Sequence, residues 1–159
     1  MRPDPEHKIH PNAIPAWRLS DGASSLTWYV LPVFTFILWY VDNLALWPSL
    51  VLAGLCIINT VAMMTIVPVI RWKRWRYEIN GHEIYLKYGI IIVRKVLIPA
   101  SRIQNVDTAQ GPIYRHFGLS SVTITTAATT HEIPALDDET ADAVRNTISA
   151  LAREADQDV

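Results

Sequence analysis

Charge is what the first half of this sequence lacks. From Asn43 to Ile70, 28 residues pass without an Asp, Glu, Lys or Arg, and Gly22 to Val41 is equally free of them, with only Asp42 between the two blocks. Cysteine is nearly absent as well: Cys56 stands alone, which excludes an intrachain disulfide framework and leaves a buried, inert thiol as the plain reading. Glycines are isolated, at Gly81, Gly89, Gly111 and Gly118 beyond the apolar blocks, so no glycine-rich loop is available to cradle phosphates. The net charge of −1 gives no basic excess for nucleic acid. The histidines at positions 7, 10, 82, 116 and 131 have no metal-ligand spacing, and His131-Glu132 lacks the second histidine of a zinc protease motif. Ser101 and Ser120 sit in no nucleophile-elbow context, and Asp137, Asp138 and Glu139 read as a helix start rather than paired catalytic acids. The sequence therefore predicts no catalytic, cofactor-binding or metal-binding residue, and no enzyme.

The apolar blocks predict a transmembrane hairpin over 22–70, with helices over about 24–41 and 46–70 joined by a tight reversal at Asp42-Asn43. Each is close to or above the roughly 20 residues that cross a bilayer. Trp28 and Tyr29 near one end of the first helix, and Trp39 and Tyr40 near the other, match aromatic belts at two interfaces. The first apolar run starts late, contains Pro32, has no small-residue cleavage site and leads straight into a second span, so a cleaved secretory signal is not expected. Residues 1–21, with Pro3, Pro5, Pro11 and Pro15, read as a disordered cytoplasmic tail, in which Ile14, Trp17 and Leu19 could touch the interface. Arg18 precedes the first span and Arg71, Lys73, Arg74 and Arg76 follow the second, while the turn has no cation. The positive-inside rule then predicts a multi-pass protein of the cell membrane with both termini in the cytoplasm. Asn59 is the intramembrane polar residue of the second helix, expected to bond to the first helix or to a partner helix.

The spans end in Arg71-Trp72-Lys73-Arg74-Trp75-Arg76, four cations and two indoles in six residues. This stretch reads as a stop-transfer anchor and as a contact for anionic headgroups. Beyond it, 71–159 changes to a period of two. Arg76 to Ile79 runs into an Asn80-Gly81 turn, Ile84, Leu86 and Tyr88 alternate with polar residues, and Ile90 to Ile98 forms a long β-branched run stopped by Pro99. Val122 to Thr126 and His131 to Ile133, closed by Pro134, follow as shorter strands. The last element is a helix capped by Asp137 or Asp138, with Ala141, Val144, Ile148, Leu151 and Ala155 on one stripe that should cover the open end of the sheet. Strands first and one helix last argue against a Rossmann or P-loop domain.

Ile98-Pro99, Arg102-Ile103-Gln104-Asn105-Val106, Gly111-Pro112-Ile113-Tyr114-Arg115-His116-Phe117-Gly118-Leu119 and Ile124-Thr125-Thr126-Ala127 together resemble the bacterial pleckstrin-homology-like domain of the YdbS-like membrane proteins. The resemblance covers roughly 45–155 and implies a curled, mainly-β sheet or barrel of seven strands capped by one C-terminal α-helix. Within the motif, Gly118 suggests a helical turn over Pro112 to Phe117 ending in a left-handed residue, with Phe117 and Leu119 packed beneath the sheet. Arg102 and Gln104 should lie on a strand edge, Arg115 should point outward, and Asp107 should pair with Arg102 or Arg115. Together these residues are a structural set or an interaction surface. The expected function is a non-catalytic, membrane-anchored module that docks a membrane-protein partner or self-associates. The alternatives are an anionic-lipid sensor and an accessory subunit of a transport or export complex.

Overall fold

In a computed structural model the protein is described over residues 4–42 and 45–157, and it divides into two compact units, 17–69 and 1–16 with 70–159. The reversal expected at Asp42-Asn43 lies partly outside the described residues.

The helical unit holds most of α1 (Ala13–Ser25), a 3-10 turn (Leu26–Tyr29), α2 (Val30–Asp42) and most of α3 (Trp47–Arg74). Ala13–Val41 and Trp47–Arg74 are each long and apolar enough to cross a membrane. The first span thus begins well before residue 24 and breaks its regularity in the middle. Pro32 supplies the reason. It has no N–H to give to the Trp28 carbonyl four residues back, and its ring crowds that carbonyl. The chain tightens over 26–29, and the freed Trp28 oxygen accepts from Cys56 Sγ at 3.5 Å across the hairpin. Thr60 Oγ1 lies 3.2 Å from Ser25 Oγ and 3.3 Å from the Tyr29 hydroxyl, while Gly22 leaves room for Met64. Large apolar side chains such as Phe34, Leu50 and Ile58 are exposed along both helices, as a lipid-facing surface requires.

In the other unit, β2 (Arg76–Asn80), β3 (Glu83–Tyr88) and β4 (Arg94–Pro99) form an antiparallel meander. A 3-10 turn (Ala100–Arg102) leads to β5 (Ile103–Ala109), α4 (Pro112–His116), β6 (Leu119–Thr126), β7 (Thr130–Asp137) and α5 (Asp138–Gln157). With a short first strand, β1 (His7–Lys8), the strands make two sheets, β1-β2-β3-β4 and β5-β6-β7, seven strands in all among the described residues. Ile84, Leu86 and Ile98 from one sheet and Leu119, Val122, Ile124 and Ile133 from the other are buried. Ala141, Val144 and Ile148 of the predicted stripe are buried as well, and α5 packs on β5, β6, β7 and the 100–102 turn. Asp137 is the cap: its Oδ2 accepts the Thr140 N–H at 3.0 Å and the Thr140 hydroxyl at 2.9 Å. Asp138 serves differently, accepting from Ser120 Oγ at 2.6 Å and from Gln110 Nε2 at 2.9 Å.

Three expectations are corrected. Residues 7–16 of the tail are ordered: β1 (His7–Lys8) pairs with β2, the His10 N–H bonds to the Ala135 carbonyl of β7 at 2.9 Å, and Ile9 between them is 1% exposed. The segment closes one flank of the domain by satisfying an edge of each sheet, and its prolines lie outside the paired residues. Ile90 to Val93 are not strand. Tyr88 already pairs with Arg94, so Gly89 to Val93 are left as the connection, entered through Gly89 at φ +124. Pro134 does not close β7 but sits inside it, where Val122 pairs with Ile133 and Ser120 with Leu136. The resulting bulge, with Ala135 at φ 53, absorbs the residue that cannot donate.

Candidate functional site

The six-residue junction is not one uniform surface. Trp75 is 6% exposed and stacks on Tyr88 with ring centroids 5.9 Å apart, so it belongs to the domain's packing. Trp72 Nε1 donates to the Ile9 carbonyl at 3.1 Å, and Lys8 Nζ lies 5.7 Å from the Trp72 ring centroid. Arg71 closes α3 by accepting the Trp75 N–H on its carbonyl at 3.0 Å. Lys73 and Arg74 are exposed, and Arg74 Nη1 donates to the Ile90 carbonyl. Arg76 enters β2 with its Nη1 buried and, among the described residues, without a hydrogen-bond partner. Of the proposed headgroup contacts, the two indoles are thus largely spent on folding, while Lys73 and Arg74 keep their exposure.

Two of the motif residues, Arg102 and Gln104, fall at one seam. Among the described residues β4 pairs only with β3 and β5 only with β6. A groove of about 590 Å³ follows the β4–β5 side of the domain, lined by Leu97, Arg102, Gln104, Thr126, Thr129 and His131 among others. Arg102 ends the 3-10 turn and is exposed. Gln104 is the extra residue of a β-bulge, since Ile103 pairs with Thr126 and Asn105 with Thr125. The bulge re-aims this side chain and interrupts the β5 edge. His131 Nε2 and Thr129 Oγ1 are 2.9 Å apart on the groove's far wall. The ion pair expected for Asp107 does not form: its Oδ2 accepts from Asn105 Nδ2 at 2.7 Å, and no salt bridge among the described residues joins it to Arg102 or Arg115. Two residues apart on β5, Asn105 and Asp107 share a face, whereas Arg115 is exposed on α4. Gly118 takes φ +63 as the motif requires, Leu119 behind it is fully buried and Phe117 half-buried. Phe117, Gly118 and Arg115 therefore shape the α4–β6 connection away from the groove.

Asn59 lies half-buried on α3 and lines a groove of about 460 Å³ in the helical unit, with Asp21, Ser24, Trp28 and Cys56 among its neighbours. Among the described residues it makes no hydrogen bond to the first helix. Thr60, the next residue, makes the cross-hairpin link instead, because its hydroxyl faces Ser25 and Tyr29. Asp21, the last residue of the expected tail, is carried inside the first apolar helix because that helix starts at Ala13.

One feature escaped sequence reasoning altogether. Lys8 pairs with Arg76, Arg76 with Lys87 and Lys87 with Lys95, so four cations cross all four strands of one sheet in a single row. Directly opposite residues share a face. Only the strand register reveals the row, since its members are scattered from position 8 to 95. Asp4 pairs with Lys87 and, at 3.3 Å, with Lys95. The hydrogen bond from Lys87, then that from Lys95, holds the Asp4 carboxyl below the ordinary carboxylate value, and the Asp4 bond raises Lys95 in turn. Among the described residues no group of three or more His, Cys, Asp and Glu could hold a metal ion.

A bacterial PH domain profile matches residues 26–152. The chain is 40% identical, over 159 residues and the whole length of both chains, to the transmembrane protein YdbS of Bacillus subtilis strain 168. It is 32% identical over 59 residues to the transmembrane protein YdbT of the same bacterium, a match covering 37% of this chain and 12% of the other. No solved structure matches.

Proposed function

The chain belongs to the bacterial PH domain family, and we propose that it is a non-catalytic module that docks a protein partner beside the membrane holding it. Its two apolar helices form a transmembrane hairpin, followed by a PH-like domain of seven strands and a C-terminal helix. The basic residues after the second span support a reading in which that domain, and both termini, lie at the cytoplasmic face of the cell membrane.

The observation that carries the reading is the β4–β5 seam. The N-terminal segment covers an edge of β2 and of β7, and α5 packs over β5, yet among the described residues β4 keeps an unpaired edge beside an open groove. An exposed edge next to a pocket suits an extended segment of another protein, whose backbone adds to the sheet while Arg102 and Gln104 read its side chains. The partner is a membrane protein or a second copy of this chain. An accessory role in a transport or export complex is one form of the same reading, with Asn59 and the hairpin groove as a further contact.

The test is purification of the full chain from its native membrane in mild detergent, as the wild type and as a Leu97→Glu, Arg102→Glu double variant. Both positions are exposed, so the variant should fold and insert normally. The expected result is a stoichiometric partner, or a second copy, that is lost from the variant. Identical assemblies in both preparations would refute docking at the seam.

A further inference from the structure

We propose that the loop Gly89–Val93 inserts into the leaflet that its own domain faces, with the Lys8–Arg76–Lys87–Lys95 row binding anionic phospholipid headgroups beside it. This inference does not depend on the protein-docking reading and concerns the opposite end of β4.

The loop presents Ile90, Ile91, Ile92 and Val93 in succession, with Ile91 92% and Ile92 73% exposed. Such a run left in water is a liability that a water-soluble domain would break with charge. Its shape is fixed rather than slack: Gly89 holds φ +124, and a Cβ there would run into the Ile92 carbonyl. Arg74, the last residue of α3, donates to the Ile90 carbonyl, and Trp75 stacks on Tyr88 at the loop's base.

Topology says which way the loop points. Only Trp75 separates the end of α3 from the start of β2. Because β2 and β3 are antiparallel, the end of β3 and the start of β4 lie at the end of the sheet where β2 begins. The isoleucines therefore project from the end of the domain at which the chain leaves its second span. The occupant this commits to is the bilayer, since the loop is continuous with an existing membrane attachment.

The charges agree. Lys87 and Lys95 stand one register step behind the Tyr88–Arg94 pair that closes the loop, and Arg76 and Lys8 extend the line across the sheet. Like charges placed directly opposite one another on a sheet cost stability. Among the described residues Asp4 pairs with Lys87 and Lys95, while Arg76 Nη1 is buried with no hydrogen-bond partner. A row built at that cost suits an external anion, and headgroup phosphates lie at the depth just outside an inserted isoleucine tip.

The experiment places the full chain, one copy per nanodisc, in neutral and in anionic lipid. With Cys56→Ser as background, single cysteines at Ile91→Cys and, as an exposed control on the β6–β7 turn, Ala128→Cys carry an environment-sensitive dye. Acyl-chain quenchers should darken the dye at 91 several-fold more than at 128, and anionic lipid should increase the difference. Equal quenching at both positions would overturn the proposal and leave the loop to a protein partner. If the Cys56→Ser background does not fold, trypsin cleavage after Arg94 and Lys95 in the otherwise unaltered chain gives an independent reading. It should be slow in nanodiscs and fast in an Ile91→Glu, Ile92→Glu variant whose circular dichroism is unchanged; equally fast cleavage of both would overturn the proposal.

Discussion

Single residues with one strong partner give the simplest tests of this structure. Asp137 bonds both the N–H and the hydroxyl of Thr140 at the start of α5. Burial pushes its carboxyl up, but the two hydrogen bonds from Thr140, its own backbone N–H and the nearby His10 together hold it below the ordinary carboxylate value. A carboxylate depressed on folding adds stability that is fully present above its unfolded pKa, near 3.9, and is lost as pH falls through the lower folded value. We expect Asp137→Ala to cost about 1 kcal/mol at neutral pH. Asp137→Asn should retain most of that, since Asn is as good a cap. Thermal unfolding in detergent at pH 7 and near pH 3 checks this: the gap between wild type and Asp137→Ala should narrow at the lower pH. The sequence offered Asp137 and Asp138 as equal candidates. Only the register of β6 separates them, by bringing Ser120 to Asp138.

At the scale of elements, local pattern was enough where one segment's own face decided the outcome. The Asn80-Gly81 turn, the αL glycine at 118 and the α5 stripe are legible because turn geometry and helical period are local properties. The Ile90–Val93 run misled for the same reason: β-branched residues favour strands, but β3 ends at Tyr88 and offers the run no partner. Within the hairpin Asn59 is the polar residue expected to bond to the first helix or to a partner helix, yet a helix turns about 100° per residue, and it is Thr60 that faces Ser25 and Tyr29. Thr60→Val should therefore weaken the hairpin by about 0.6 kcal/mol, whereas Asn59→Leu should leave its intrinsic stability nearly unchanged. Reversible unfolding in mixed micelles distinguishes the two. Equal losses from both substitutions would mean that Asn59 shares the link.

For the whole molecule, what sequence could not show is long-range. The tail has the composition of a linker, but its order comes from strand edges about 70 and 125 positions away. Ile9, enclosed between them, should behave as a core residue. Ile9→Ala is expected to cost about 2–4 kcal/mol and to expose β1–β2 amides to hydrogen exchange; a loss no larger than an ordinary surface substitution would mean the segment is an ornament. The same long-range logic explains the cation row and the seam, since each joins residues far apart in the chain. With the tail holding one flank and α5 covering β5, the β4 edge and its groove remain available.

Photo-crosslinking in intact native membranes tests that claim most directly, with a photoreactive residue in place of Gln104 at the seam or Ala150 on the exposed side of α5. The account predicts a discrete adduct from position 104, abolished by Arg102→Glu, and none from position 150. No adduct at 104, or the same adducts from both positions, would contradict a docking function at this seam.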